Sequence, residues 1–168
     1  MIDSFKGRWY FLSNFYAGEI THQGILYPTV EHYYVAMKVN SSQLIDGVLM
    51  DKIDVRELIS KIETPGKVKR FGRENIQLRS DWDDVRYDTM LYGVRQKFTK
   101  HEDLKQMLLS TGTEELVEGN WWHDIYFGVC DCGKCPEGQN ILGKILMIVR
   151  SEIIESEKKN SLENFLKS

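Results

Sequence analysis

The stretch Tyr27–Lys38, "YPTVEHYYVAMK", decides how the front of this chain folds. Thr29 is a helix cap, because its hydroxyl can accept from a free N–H of the first turn, and the helix is entered through Pro28. The helix then runs from about Val30 to Lys38. Glu31 falls in the first turn, where the helix dipole favours an anion. Glu31 and Lys38 are seven residues apart, and Tyr34 lies four before the lysine. Side chains at those spacings project from nearly one face. On spacing alone the plainer reading is a solvated face with an ion pair. The sharper one is a catalytic wall with an acid and an amine. A lysine is nucleophilic only when neutral, which requires burial or a neighbouring cation to bring its pKa below about 10.4.

Working outward, the upstream segment "RWYFLSNFYAGEITHQGILYPTV" is aromatic and β-branched with punctuating glycines. It predicts a short hairpin turning near Gln23-Gly24, with Ile25 to Tyr27 as its second strand. Downstream, residues 42–62 read as helical, interrupted near Gly47 or Asp54. In "TPGKVKRFG", Thr64 caps a helix, Pro65 takes its first turn and Gly72 closes it. After Ser80 a long helix carries Tyr87, Leu91, Val94 and Phe98 on one apolar face. Leu104, Met107 and Leu108 mark another, stopped at Gly112. A loop rich in glycine, cysteine and aromatics fills 119–139. The last helix starts after Asn140, with Leu142, Ile145, Leu146, Val149 and Ile153 on its buried stripe. The expected fold is a single α+β domain over residues 1–155, mainly helical with a small N-terminal β element. Residues 156–168 form a polar tail.

Bulk properties narrow the function classes. The 168 residues suffice for one domain with a real core. A net charge of −3 argues against broad electrostatic binding to nucleic acid, though not against a local basic pocket. No apolar run approaches the roughly 20 residues needed to cross a bilayer, and the N-terminus lacks the apolar stretch of a secretory signal. The three cysteines, all within 130–135, form no disulfide framework. A cytoplasmic protein with no membrane partner is expected.

Six blocks occur in one order: "LSNFY" (Leu12–Tyr16), "YPTVEHYYVAMK", Gly72-Arg73, "RSDWDDVRYDTM" (Arg79–Met90), Lys97-Phe98 and "GQNILGKILMIVR" (Gly138–Arg150). That series resembles the NADAR superfamily, also called YbiA-like proteins, from about Trp9 to Arg150. The resemblance implies N-glycosidase chemistry on ribosyl compounds. Members cleave phosphoribosylamine-type intermediates of riboflavin synthesis or remove ADP-ribose from guanine bases. It further implies a mainly helical domain with a small β element. By the same resemblance Lys38 is the amine that captures the opened ribose as a Schiff base, and Glu31 the general acid/base. A third expectation, from a different class, is a module that binds NAD or ADP-ribose without turnover.

The remaining blocks suit binding. Asn14 and Phe15 offer an amide and a ring to ribose or base, and Tyr34 can shield or position the amine. Arg73 can fork onto a phosphate. Trp82 can stack on a base, although a core tryptophan is the plainer reading. Gly138 and Asn140 precede a helix whose free N–H groups can receive a phosphate, and Asn140 can equally be a simple cap. In "NWWHDIYFGVC", Asp124 matches a family position near the pocket, with Trp122 close by. Where many relatives read Trp-Gly-Asp, this chain has Phe127, Gly128 and Val129, which puts the accepted leaving group in doubt. The expected partner is an ADP-ribose or phosphoribosyl small molecule. ADP-ribosylated nucleic acid, engaged through one flipped base, is also allowed. In "CDCGKC", Cys130, Cys132 and Cys135 with His123 can supply a Cys₃His set for zinc. The tight spacing makes free thiols the default, so no cofactor and no metal are expected.

Overall fold

Two pairs of left-handed residues shape the front of the protein: Gln23 and Gly24 at φ 50° and 78°, and Asp46 and Gly47 at φ 48° and 78°. Two consecutive positive φ values make the tight turn that matches the twist of a two-residue hairpin. In this computed structural model, which describes residues 1–168, the first turn joins β1 (Ile20–His22) to β2 (Ile25–Tyr27), antiparallel with Thr21 opposite Leu26. The second joins β3 (Gln43–Ile45) to β4 (Val48–Met50), with Leu44 opposite Leu49. The first hairpin is the expected one. The second corrects the helical reading of residues 42–62: only α2 (Lys52–Ser60) is helical there, capped by the Asp51 carboxylate on the N–H groups of Ile53 and Asp54.

The chain divides into two compact units, residues 14–97 and residues 1–13 with 98–168. The first is organised around α1 (Val30–Met37), which packs against α2 and α3. All eight residues of α1 are buried, so the helix is a core element and the solvated-face reading fails. Its polar members therefore need partners. Thr29 Oγ1 accepts from the His32 N–H as expected of a cap. The His32 ring is held at both nitrogens, 2.8 Å from Thr29 Oγ1 and 2.8 Å from the Ile62 carbonyl. A carbonyl can only accept, so Nε2 carries the proton and Nδ1 accepts from the threonine hydroxyl.

Helix α3 (Pro65–Asn75) is capped by Thr64 with Pro65 in its first turn, as read from the sequence. It does not end at Gly72. That glycine is buried inside the helix, where a Cβ would stand 2.7 Å from Val35 Cγ1 of α1. Gly72 is thus the point of closest helix–helix approach, and the helix runs on for almost another turn.

The long helix α4 (Trp82–Lys100) starts where expected. In the second unit a 3₁₀ segment (Gly7–Leu12) precedes α5 (Glu102–Leu109), and Gly112 at φ 59° lies just beyond the latter. Two short parallel strands, β5 (Gly119–Asn120) and β6 (Val129–Cys130), frame a loop. Helix α6 (Ile141–Lys167) buries Leu142, Ile145, Leu146, Val149 and Ile153 as predicted. Arg150 on the same helix binds Thr111 Oγ1 at 2.7 Å and the Glu114 carbonyl at 2.9 Å. Residues 155–167 continue α6 as an exposed helix, so the polar tail is regular. The fold is α+β, mainly helical with small strand pairs. No helix is long and apolar enough to cross a membrane.

Candidate active site

Lys38 sits at the C-terminal end of α1, half-buried, with helical φ and ψ. The last carbonyls of any helix lack intrahelical partners, and here two arginines, Arg79 and Arg56, supply donors. Arg79 donates its backbone N–H to the Lys38 carbonyl at 3.3 Å and Nη1 to the Met37 carbonyl at 3.4 Å. Buried Arg56 places Nε and Nη2 on the Val39 carbonyl at 3.1 and 2.7 Å. Cations at a helix C-terminus also suit its dipole. Arg79 is itself fixed by a two-pronged pair with Asp81, at 2.6 and 2.8 Å, and its carbonyl accepts from the Trp82 N–H at 3.2 Å. One short turn therefore fixes both the backbone of Lys38 and the start of α4.

That turn brings Trp82 beside the amine. Trp82 is only 6% exposed and meets the Tyr34 ring edge-on, with centroids 4.9 Å apart. Lys38 Nζ lies 5.2 Å from the Tyr34 ring centre and 5.7 Å from that of Trp82, both within cation–π reach. Burial holds the amine below the ordinary lysine range; the Glu31 carboxylate opposes that shift and Lys69 adds to it. Glu31 is 8% exposed, and its N–H donates to the Asn14 carbonyl at 3.2 Å. The Asn14 amide reaches Met90 Sδ at 3.3 Å, so this residue braces Glu31 and α4. Lys69 Nζ is 6.0 Å from the Phe15 ring centre. Arg73, in the last turn of α3, is exposed and in no ion pair. The unit thus gathers Glu31, Lys38, Tyr34, Trp82 and Asn14, with Phe15 beside Lys69 and Arg73 displayed at the surface.

The other expected residues belong to the second unit. Trp122 is 53% exposed. Asp124 Oδ1 accepts from the N–H groups of Tyr126 and Phe127 at 3.0 and 2.9 Å, while its backbone is clasped by the buried Asn120 side chain. A Cβ on Gly138 would fall 2.3 Å from the Gly128 carbonyl oxygen, so this glycine serves a close backbone crossing. Asn140 departs from both expected roles. It is buried at φ 51°, accepts from the Glu118 N–H and donates to the Leu116 carbonyl, and makes no cap bond. The N–H groups of Ile141 and Leu142 are taken by the carbonyls of Tyr126 and Phe127. The start of α6 is therefore spent on its own loop rather than open to a phosphate.

Sequence reasoning missed Arg79 and Asp81, although the i, i+2 pair of opposite charges just ahead of Trp82 was the available signal. It gave Arg56 no role, and nothing in its local sequence marks it as buried. Lys97, 1% exposed with Nζ 5.5 Å from the Tyr16 ring centre, was noted only as part of a block. His123, Cys130, Cys132 and Cys135 do converge, with all four ligand atoms within 4.8 Å of one another.

Comparison with known proteins agrees with this architecture. The NADAR domain model matches residues 4–154. An N-glycosidase of Nostoc punctiforme is 41% identical over 142 residues, covering 84% of this chain and 83% of that protein. The N-glycosidase YbiA of Escherichia coli is 34% identical over 142 residues, covering 84% and 79%. A riboflavin biosynthesis protein of Vibrio vulnificus is 36% identical over 154 residues, 91% of this chain but only 38% of its own length. The NMR structure of Escherichia coli YbiA superposes with a TM-score of 0.72 at 32% identity, covering 94% of this chain and 89% of that one. The chain belongs to the NADAR family.

Proposed function

We propose that this protein, a hydrolase acting on N-glycosyl bonds, removes ADP-ribose from guanine bases through a covalent intermediate on Lys38. The observation that carries the reading is the amine at the end of a buried helix. It is screened by Tyr34 and Trp82, held below its ordinary pKa by burial, and within electrostatic reach of Glu31. A module that only binds ADP-ribose has no use for that pair.

The chemistry follows from the groups present. Glu31 takes the proton of the Lys38 ammonium and passes it to O4′ as the C1′–O4′ bond breaks, which leaves C1′ doubly bonded to the base nitrogen and electrophilic. Neutral Lys38 Nζ adds to C1′, the proton it then sheds passes through Glu31 to the base nitrogen, and the C1′–N bond to the base breaks. The imine left on Lys38 is cationic, and a carboxylate nearby stabilises it. Water then adds with Glu31 as base, the C1′–Nζ bond breaks, and free ADP-ribose and the amine are regenerated. The exposed Arg73 guanidinium, with Lys69 on the same helix, supplies cations for the phosphates. Phe15, beside Lys69 in the same unit, offers a ring to a base.

A second reading has its own support. Relatives in Vibrio vulnificus and Zea mays are riboflavin biosynthesis proteins by name, which favours phosphoribosylamine intermediates as substrate. The test is intact-mass analysis after mixing the protein with ADP-ribosylated guanosine and a borohydride reductant. The expected result is an adduct of ADP-ribose mass on Lys38, absent from Lys38→Ala. Guanine release without an adduct keeps the hydrolase and removes the lysine route. Turnover of phosphoribosylamines alone selects the second reading, and turnover of neither leaves a binder.

A further inference from the structure

The 119–135 loop carries a second cluster of reactive groups that N-glycosyl hydrolysis does not use. Its three sulfurs and one imidazole come from a loop with little regular structure, yet they meet at one place. His123 Nδ1 is 3.2 Å from Cys135 Sγ, 3.5 Å from Cys132 Sγ and 3.6 Å from Cys130 Sγ. Cys132 Sγ and Cys135 Sγ are 3.5 Å apart. A tetrahedral zinc ion with Zn–S near 2.3 Å and Zn–N near 2.05 Å sets edges of about 3.8 Å between sulfurs and about 3.6 Å from sulfur to nitrogen. The four measured edges fall at or slightly inside those lengths.

A disulfide accounts for less. The Cys132–Cys135 separation is well beyond the roughly 2.05 Å of an S–S bond. A bond between any two of these cysteines would leave the third thiol and the imidazole facing it without a reason to converge. The backbone also bends toward the cluster. His123 lies at φ 67°, a left-handed conformation uncommon outside glycine, and Gly133 at φ 72° lies within the Cys132–Cys135 turn. Within that turn the Lys134 N–H donates to Cys132 Sγ at 3.4 Å, a bond that favours the thiolate form a metal needs.

We infer that His123, Cys130, Cys132 and Cys135 form a closed, structural Cys₃His zinc site. On binding, the three thiols release three protons to solvent, and three thiolates, one neutral imidazole and one Zn²⁺ leave a net charge of −1. All four positions are filled by protein, so no water or substrate is activated there. The set is soft and tetrahedral, which excludes magnesium and calcium. The ion's task is to hold a surface loop that has no core of its own. Asp131, Gly133, Lys134, Pro136 and Glu137 are all exposed. Binding energy at such a site is folding energy for the loop. Because His123 and Asp124 are adjacent, the ion also fixes the turn in which the Asp124 carboxylate accepts from Tyr126 and Phe127. The site is independent of the proposed substrate.

The test is metal analysis of the full chain purified in reducing buffer without added chelator, followed by titration of the metal-free chain with Zn²⁺ and Co²⁺. About one zinc per chain is expected, as one closed four-ligand site holds one ion. Cobalt should give the intense visible bands of tetrahedral thiolate coordination. Cys132→Ser and His123→Ala should each lower bound zinc at least tenfold. If the variants do not fold, the cobalt spectrum of the unmodified chain decides alone. A chain that purifies without zinc and gives no tetrahedral cobalt spectrum overturns the assignment. So does a Cys132–Cys135 disulfide that forms readily in place of zinc binding, or zinc that stays bound in both variants.

Discussion

Two lysines of the residue 14–97 unit, Lys38 and Lys97, invite comparison because burial depresses both. Lys97 is the more extreme: it is 1% exposed, and burial alone pushes its amine down to about 7. Lys38 is only half-buried, and its shift is a balance of burial, which lowers it, Glu31, which raises it, and Lys69, which lowers it. Ranked by perturbation, Lys97 would be the nucleophile. Ranked by neighbours, Lys38 has a carboxylate within electrostatic reach, two rings beside its amine and a half-exposed position, the set that the proposed imine route needs. A perturbed pKa marks burial; burial together with access and an acid marks chemistry.

The comparison breaks most visibly at the level of turnover. Lys38→Ala should lower the hydrolysis rate at least about 10³-fold, the loss expected when a covalent nucleophile is removed. Lys97→Met should stay within a few-fold of the parent. Single-turnover release of the base measures both, and the reverse ranking would move the site to Lys97. Glu31→Gln comes next. It keeps shape and binding but removes the acid/base, so turnover should fall about 10²-fold with little change in ligand affinity by calorimetry. An equal loss in affinity would make Glu31 a binding residue.

The smallest effect concerns stability. The unfolded chain keeps the Lys97 proton to about pH 10.4, while the folded chain releases it near pH 7. Between those values the unfolded state binds more protons, so stability rises with pH through that window. The contribution between pH 7 and 9 should be about 2 kcal/mol at most, each pK unit being about 1.4 kcal/mol. Burial also lowers the pKa of His22 and His32 from the ordinary histidine value, so their contributions end below this window. Chemical denaturation of Lys97→Met at the two pH values should show a flatter profile than the parent. An unchanged slope would mean that the amine reaches solvent.

Much of this fold is legible in the sequence where one local rule governs. The Thr29 and Thr64 caps, the Gln23-Gly24 turn and the stripe from Leu142 to Ile153 were all readable because each depends on residues a few positions apart. The β3–β4 hairpin was not, although Asp46-Gly47 is a strong turn signal. Its strands put Leu44, Val48 and Leu49 at 66%, 60% and 74% exposure, so apolar residues filled positions where alternation would place polar ones, and the run imitated a helix. Gly72 was misread because its reason lies in Val35, on another helix. The site divides the same way. Glu31 and Lys38 could be read as sharing a face, but the complete burial of α1 could not. Nor could the guanidinium groups on the carbonyls of Met37 and Val39, because they come from residues distant in sequence. Asn140 looked like a cap because it precedes a helix; its amide instead joins two backbone groups more than twenty residues upstream.

The pinned ring of His32 has a practical consequence. Its tautomer is set by a hydroxyl on one side and a carbonyl on the other, and burial lowers its pKa from the ordinary value of 6.5. Above pH 6.5 the neutral ring therefore predominates, in the tautomer that its two partners select. It lies on α1 between Glu31 and Lys38, so its nitrogen resonances form an internal standard for the helix. A change in those resonances during a titration of the lysine, or on adding a ligand, would report displacement of the scaffold, whereas constant resonances would assign the observed change to the reacting groups themselves.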